Sequence, residues 1–347
     1  MDVALKGICL HTTEAAFNLA LEDCLLDALG QDATLGGGVF LLWRNAPSII
    51  VGRHQNTAQE VNAALVSALR LPVVRRMSGG GAVYHDLGNL NYSFIVPQAA
   101  DAGTGFGVFL QRMCAALATL GVPATPSGRN DLVCTGRKIS GSAQVRRQGK
   151  VLHHGTLLVD VDLERMDAVL AGNPDKFHSR GIASARARVR NVAELLPPGV
   201  GMAEVQAALL AHCAAAPLEP PAPLLERAET LAREKYRTWA WNYGASPAFD
   251  YRRRERFPWG AVEVCLRVEH GVITACRFHG DFFANDDVAV LEARLCGVRH
   301  SPDALDAALR DVPWRDYFTG CDPEVMRAFC CGAGGSTAPG EHPPDPA

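Results

Sequence analysis

The sequence predicts an α+β fold built on a mainly antiparallel sheet, with a second and smaller α+β unit behind it. Three observations carry this. Short apolar runs follow one another at hairpin spacing, with few strand–helix–strand crossovers. At 347 residues, 48% of them hydrophobic, the chain has room for two cored domains. A Pro-rich spacer, 217–223, and a fresh set of strands after Pro247 mark where the first unit ends.

Each element follows from its local pattern. Thr12 or Thr13 can cap a helix running to Gly30, since Phe17, Ala20, Leu21, Cys24, Leu25 and Ala28 recur at helical spacing. Asn18 and Glu22 lie four apart on a neighbouring stripe. Val39 to Trp43 and Ser48 to Gly52 read as two strands of a hairpin turning at Arg44-Asn45-Ala46-Pro47. A helix is expected over 59–69, then a strand at 71–74, a strand from Ala82 and a third apolar strand at 90–96. Residues 105–120 are helical. The stretch 131–162 is strand-rich, with turns at Thr135-Gly136 and Gln148-Gly149. Helices follow at 163–171, 202–215 and 224–236. In the second unit, strands 262–268 and 272–278 join at His270-Gly271, and helices cover 288–295 and 303–309. Residues 332–347, rich in Gly, Pro and Ser, read as a disordered tail.

Between the strands at 71–74 and 82–84 runs Arg75-Arg76-Met77-Ser78-Gly79-Gly80-Gly81. Consecutive glycines let a backbone turn with positive φ and approach a ligand closely. Two arginines supply fixed charge and planar donors for an anion. No Gly-Lys-Ser/Thr follows, so this is not a Walker-type phosphate loop.

The totals exclude other classes. A formal net charge of −3 argues against nucleic-acid binding, which calls for a basic surface. The 11 cysteines are scattered without C-x-x-C pairs, as in a reduced intracellular chain. No apolar run approaches a membrane span, and Met1–Lys6 has no secretory architecture, so the cytoplasm is expected.

A second segment, Gly136-Arg137-Lys138-Ile139-Ser140-Gly141-Ser142-Ala143, sets a lysine among small residues that leave space over its ammonium. Upstream lies Ser127-Gly128-Arg129-Asn130-Asp131. Downstream, His153-His154-Gly155-Thr156 opens an apolar strand. Adjacent strand residues face opposite ways, so one histidine is expected in a site and the other in the core.

Together these segments resemble the lipoate–protein ligase A family. The likeness runs from Phe17-Asn18-Leu19-Ala20 through Leu42-Trp43-Arg44-Asn45, Gly52-Arg53-His54-Gln55-Asn56, the glycine loop and the lysine and histidine segments. It continues to Trp239-Ala240-Trp241-Asn242-Tyr243-Gly244 and Arg256-Phe257-Pro258-Trp259-Gly260. Thr57-Ala58 departs from the Pro-Trp common after Gln-Asn.

The resemblance implies a biotin/lipoate ligase-like, class II synthetase-like catalytic domain over 1–244 and a small accessory domain over 245–331, with a hinge at 241–247. It implies an ATP-dependent ligase that makes lipoyl-AMP and then acylates a lysine on a lipoyl domain of a 2-oxoacid dehydrogenase or on a glycine-cleavage H protein. Mg²⁺ enters with ATP and no protein metal site is expected. Neither is a nucleic-acid or membrane partner, and the chain is expected to be a monomer. By the same resemblance Lys138 is the catalytic cation. Arg76, Ser78, Gly81, Ala82, Val83, Tyr84, Asp131 and Lys138 meet the adenylate. Trp43, Glu22, Arg76, Val83, His85, His154 and Lys138 meet lipoate. The nearest alternative is an ATP-independent lipoyl or octanoyl transferase with Cys134, four residues before Lys138, as its nucleophile. A biotin–protein ligase and a catalytically silent lipoate sensor are further alternatives.

Overall fold

The structure is a computed structural model describing residues 4–55, 57–98, 105–170, 188–243, 251–269, 271–300 and 302–331. The tail 332–347, Asn56, His270 and the hinge residues beyond Tyr243 lie outside the described residues. The chain divides into two compact units after Ser246.

The first unit is organised by an eight-stranded sheet in the order β11-β1-β2-β6-β10-β9-β8-β7. Its strands are β1 (Lys6–Cys9), β2 (Val39–Trp43), β6 (Asn89–Pro97), β7 (Thr125–Ser127), β8 (Asp131–Cys134), β9 (Arg137–Arg147), β10 (Lys150–Leu158) and β11 (Ala216–Pro217). From β2 to β7 every pairing is antiparallel, and only the β11-β1-β2 edge is parallel. The turns that join β8, β9 and β10 place Thr135, Gly136, Gln148 and Gly149 at φ between 49° and 76°. Both central residues of each turn are thus left-handed, the twist that suits a tight hairpin.

A three-stranded sheet beside it has the order β4-β3-β5, from β3 (Ser48–Val51), β4 (Val73–Arg75) and β5 (Val83–His85). The hairpin expected between β2 and β3 is therefore not formed. The turn at 44–47 hands the chain from one sheet to the other. Asn18 holds it there, donating from Nδ2 to the Arg44 carbonyl at 3.1 Å and to Asn45 Oδ1 at 2.9 Å. The long-range contact overrides the hairpin that spacing suggests.

Helix Ala15–Ala28 lies against one face of the large sheet and is buried on nearly every side. Its N-cap is Glu14, without a side-chain cap, rather than a threonine. Helices Phe106–Ala118 and Met202–Cys213 cover the opposite face, over Phe40, Tyr92, Phe94 and Leu157. The helix expected over 59–69 is broken: Thr57–Glu60 ends, and Asn62 caps a new helix, Ala63–Ala68. The Pro-rich spacer is partly ordered. Ala216–Pro217 pairs with β1, and Pro221 is the N-cap of helix Ala222–Leu231.

The second unit packs helices Val288–Leu295, Pro302–Leu309 and Pro323–Cys331 on a sheet β12-β13-β14. These strands are β12 (Tyr251–Phe257), β13 (Gly260–Glu269) and β14 (Val272–Gly280). Strand β12 is missed by pattern reading because Arg252, Arg253, Arg254 and Arg256 hide its alternation.

Candidate active site

Strand register assembles the site. Trp43, Asn91, Thr156, Gly141 and Asp131 stand opposite one another in a row across β2, β6, β10, β9 and β8. Directly opposed residues share a face. Two residues along, Ser93 and His154 form a second row on that same face. Helix Ala15–Ala28 leans over it and delivers Glu22.

The lysine lies at the β8 end of the first row. Lys138 Nζ meets Asp131 Oδ1 at 2.8 Å, with both side chains about one-third exposed. A Cβ on Gly141 would sit 2.8 Å from Nζ and 2.9 Å from Cε, so the small residue is what lets the side chain lie across the sheet. Cys134 points the other way, buried with Leu132 and Ile139 in the helix-covered core.

A buried polar network fills the second row. Trp43 Nε1 donates to Ser93 Oγ at 3.0 Å, and Ser93 Oγ donates to Glu22 Oε1 at 2.5 Å. His154 Nδ1 lies 3.0 and 3.1 Å from the two Glu22 oxygens. Its Nε2 lies 2.6 Å from Ser78 Oγ. His153 takes the core role, stacked on Phe109 with centroids 4.6 Å apart. Burial pushes it down to about 3, so the ring is neutral.

The glycine loop is clamped by its own arginine. Arg76 donates from Nη2 to the Gly79 and Gly81 carbonyls at 2.7 and 2.8 Å, from Nη1 to the Ile50 carbonyl, and from Nε to Ser78 Oγ at 3.1 Å. Its guanidinium is thus engaged by the loop. Burial lowers it to about 10, with the Glu22 charge opposing and the Arg75 charge assisting, so it stays cationic at neutral pH. Because a trans peptide points its C=O and N–H oppositely, the Gly80 and Ala82 amides face away from Arg76. Ser78, Gly79 and Gly80 are buried, Gly81 is exposed, and Met77, Ala82 and Val83 are half-buried.

Arg75 clamps a second layer. It donates to the carbonyls of Gly52, Arg53 and Gln55 and to Thr57 Oγ1 at 2.7–3.1 Å. It also reaches the Trp241 and Asn242 carbonyls. Gly52 is obligatory, since a Cβ there would lie 1.9 Å from the Gly80 carbonyl oxygen.

On β5, Val83 and His85 face the Trp43 side while Tyr84 turns into a separate core. Asn45 Nδ2 meets His85 Nδ1 at 3.0 Å. That nitrogen accepts, because Asn45 Oδ1 is taken by Asn18. The proton is then on Nε2, which has no partner among the described residues, as is true of Asn91 Nδ2. Burial, then Arg76 and His154, push His85 down to about 3.

The structure thus gathers Glu22, Trp43, Arg76, Ser78, Val83, His85 and His154 around one network, with Lys138 and Asp131 on the same sheet face. Sequence reading overlooked Ser93. The alternation Asn89-x-Asn91-x-Ser93 inside an apolar strand was the available signal. Among the described residues no group of three or more His, Cys, Asp or Glu could hold a metal, and no helix is long and apolar enough to cross a membrane.

Comparison with known proteins shows what the chain is similar to. The lipoyl protein ligase A/B catalytic domain matches residues 14–214, and the bacterial lipoate protein ligase C-terminus matches 246–329. Lipoate–protein ligase 1 of Staphylococcus aureus is 39% identical over 316 residues, 90% of this chain and 95% of that protein. Among solved structures, P. falciparum LipL1 in complex with lipoate shares the fold at TM-score 0.75 and 22% identity, over 94% of this chain and 99% of that one. A lipoate–protein ligase A bound with ATP has TM-score 0.60 and 26% identity, over 70% of this chain and 99% of that one. By sequence and by fold, the chain belongs to the lipoate–protein ligase family.

Proposed function

We propose that this protein activates lipoate with ATP to lipoyl-AMP and transfers the lipoyl group to a lysine ε-amine on a lipoyl domain. The observation that carries the reading is the placing of the Lys138 ammonium over Gly141, on the sheet face that also bears Trp43 and His154.

The first step brings a carboxylate to an α-phosphate. Two anions must meet, and a fixed cation at their junction offsets the repulsion and the charge that develops. Lys138 supplies that cation and exchanges Asp131 for the reacting oxygens. The Ala82 amide, turned away from Arg76 in the accessible part of the loop, supplies a donor to the nucleotide, so Arg76 serves by shaping the loop. Mg²⁺ enters as part of the ATP substrate, and Asp131 gives the single carboxylate that commonly suffices when phosphates complete the shell. Trp43, Val83 and His85 form an apolar wall for the acyl chain, and the unpartnered His85 Nε2–H is a donor that a bound acceptor would satisfy.

Transfer needs a neutral acceptor amine, of which only about 0.04% exists for a free lysine at pH 7. The Lys138 charge beside it favours the deprotonated form. Lipoyl domains and the H protein are the proposed acceptors, with the enzyme acting as a monomer and the second unit moving between the two steps.

The test is reconstitution: purified chain, ATP, Mg²⁺, lipoate and an apo lipoyl domain. Modification is expected to require ATP, to vanish in Lys138→Ala, and to survive Cys134→Ala, because Cys134 faces the opposite core. Modification without ATP, or in the lysine variant, would overturn the reading.

A further inference from the structure

An unbroken chain of contacts runs from Glu22 to the glycine loop. Arginine only donates, so Ser78 Oγ accepts from Arg76 Nε at 3.1 Å. An ionised carboxylate only accepts, so His154 Nδ1, within 3.1 Å of both Glu22 oxygens, carries a proton. On its other side the ring meets the loop, with Nε2 2.6 Å from Ser78 Oγ. Ser78 Oγ is therefore held from Glu22, through His154.

Glu22 itself is 0% exposed, and its oxygens are engaged by Ser93 and His154. A buried carboxylate so occupied is a poor direct partner for an apolar acyl chain. Its charge does reach the loop, because it is the opposite charge that favours the buried Arg76 cation. Ser78 is the loop's first anchor: its carbonyl accepts from Arg53 N at 2.8 Å, and its hydroxyl ties it to β10.

We propose that Glu22 is a positioning residue for the nucleotide-facing glycine loop, acting through His154 and Ser78 rather than by touching the acyl substrate. The proposal rests on the ligase reading for its kinetic readout, but its structural half does not. With Glu22→Gln the acceptor-only anion is lost, the Ser78 hydroxyl is no longer fixed, and the loop amides lose their alignment.

The experiment uses the full-length chain and lipoate-dependent ATP–pyrophosphate exchange, with KM measured separately for ATP and for lipoate. Glu22→Gln and Ser78→Ala are each expected to raise the KM for ATP roughly tenfold, the size of one misdirected hydrogen bond to a charged group, with the KM for lipoate unchanged. The double variant is expected to be no worse than the more impaired single one. His154→Gln, which keeps an acceptor for Ser78 but disconnects Glu22, is expected to act in the same ATP-specific way and serves if Glu22→Gln does not fold. A raised KM for lipoate, or effects that multiply in the double variant, would overturn the proposal. Independently of activity, nitrogen chemical shifts of the ligand-free wild-type chain should show His154 carrying a proton on Nδ1, facing Glu22. An Nε2–H tautomer would overturn the proposal, whereas a wild-type chain that makes no lipoyl-AMP would overturn the ligase reading instead.

Discussion

Gly141 and His153 show how much one residue decides here. The tight contacts of a Cβ on Gly141 are with the flexible end of Lys138, at 2.8 Å from Nζ, while Asp131 Oδ1 lies at an ordinary 3.6 Å. The strand can keep its form while the lysine is displaced. Gly141→Ala should therefore leave the thermal midpoint within a few degrees of wild type and sharply reduce lipoyl-AMP formation. A variant that loses stability and activity together would contradict this. His153 is buried and neutral, with its folded value near 3 against an ordinary 6.5. Below pH 6.5 the unfolded chain takes up a proton that the folded chain refuses. Its stabilising neutrality is thus fully present above that pH and is lost as pH falls from 6.5 toward 3, at no more than about 1.4 kcal/mol per pH unit. His85 behaves in the same sense. His153→Phe should hold or raise the midpoint at pH 7.5 and shrink its fall between pH 7 and pH 5. An equal fall in both proteins would refute the assignment.

At the scale of elements, the glycine loop works because three segments interlock. Arg76 turns the Gly79 and Gly81 carbonyls inward, Arg53 N holds the Ser78 carbonyl, and Gly52 makes room for the Gly80 carbonyl. The obstruction to a Cβ at Gly52 is backbone, not a movable side chain. Gly52→Ala should therefore cost roughly 2 kcal/mol or more in denaturant unfolding and abolish adenylation as well. This contrasts with Gly141→Ala, where only activity suffers, and equal stability of the two variants would be inconsistent with the geometry. Much of this element was legible in the sequence: the strands, the turn and the close backbone approach that glycine allows. The direction of the arginines was not. A sequence shows two cations beside a flexible loop, but whether they face a ligand or the loop's own carbonyls depends on where those carbonyls point.

At the scale of the molecule, the first unit packs on both faces of the eight-stranded sheet and around the β4-β3-β5 sheet, and the second has its own core on the β12–β14 sheet. The last helix of the first unit, Trp239–Asn242, is wired back to the site. Trp241 Nε1 donates to the Arg75 carbonyl at 2.7 Å, Asn242 Oδ1 accepts from Arg75 N at 2.9 Å, and Trp241 lies between the Arg53 and Lys235 cations. A chain ending at Ser246 should melt cooperatively on its own. A chain ending at Thr238 loses these bonds and should melt lower by roughly 10 °C. Equal midpoints would show that the helix is an appendage and not part of the clamp.

By itself the sequence determined the antiparallel α+β class, the two units, the motif residues and the membership they imply, because strand alternation, turn glycines and ordered motifs are local signals. The glycine loop, Lys138 and the division of His153 from His154 were all within its reach. The tertiary structure alone decided that β2 and β3 belong to different sheets, that Arg75 and Arg76 are clamps, and that Ser93 joins Glu22 to Trp43. It also set Cys134 on the face away from Lys138. These are matters of register and of which partner fills a buried donor, and both are fixed by residues tens to hundreds of positions apart.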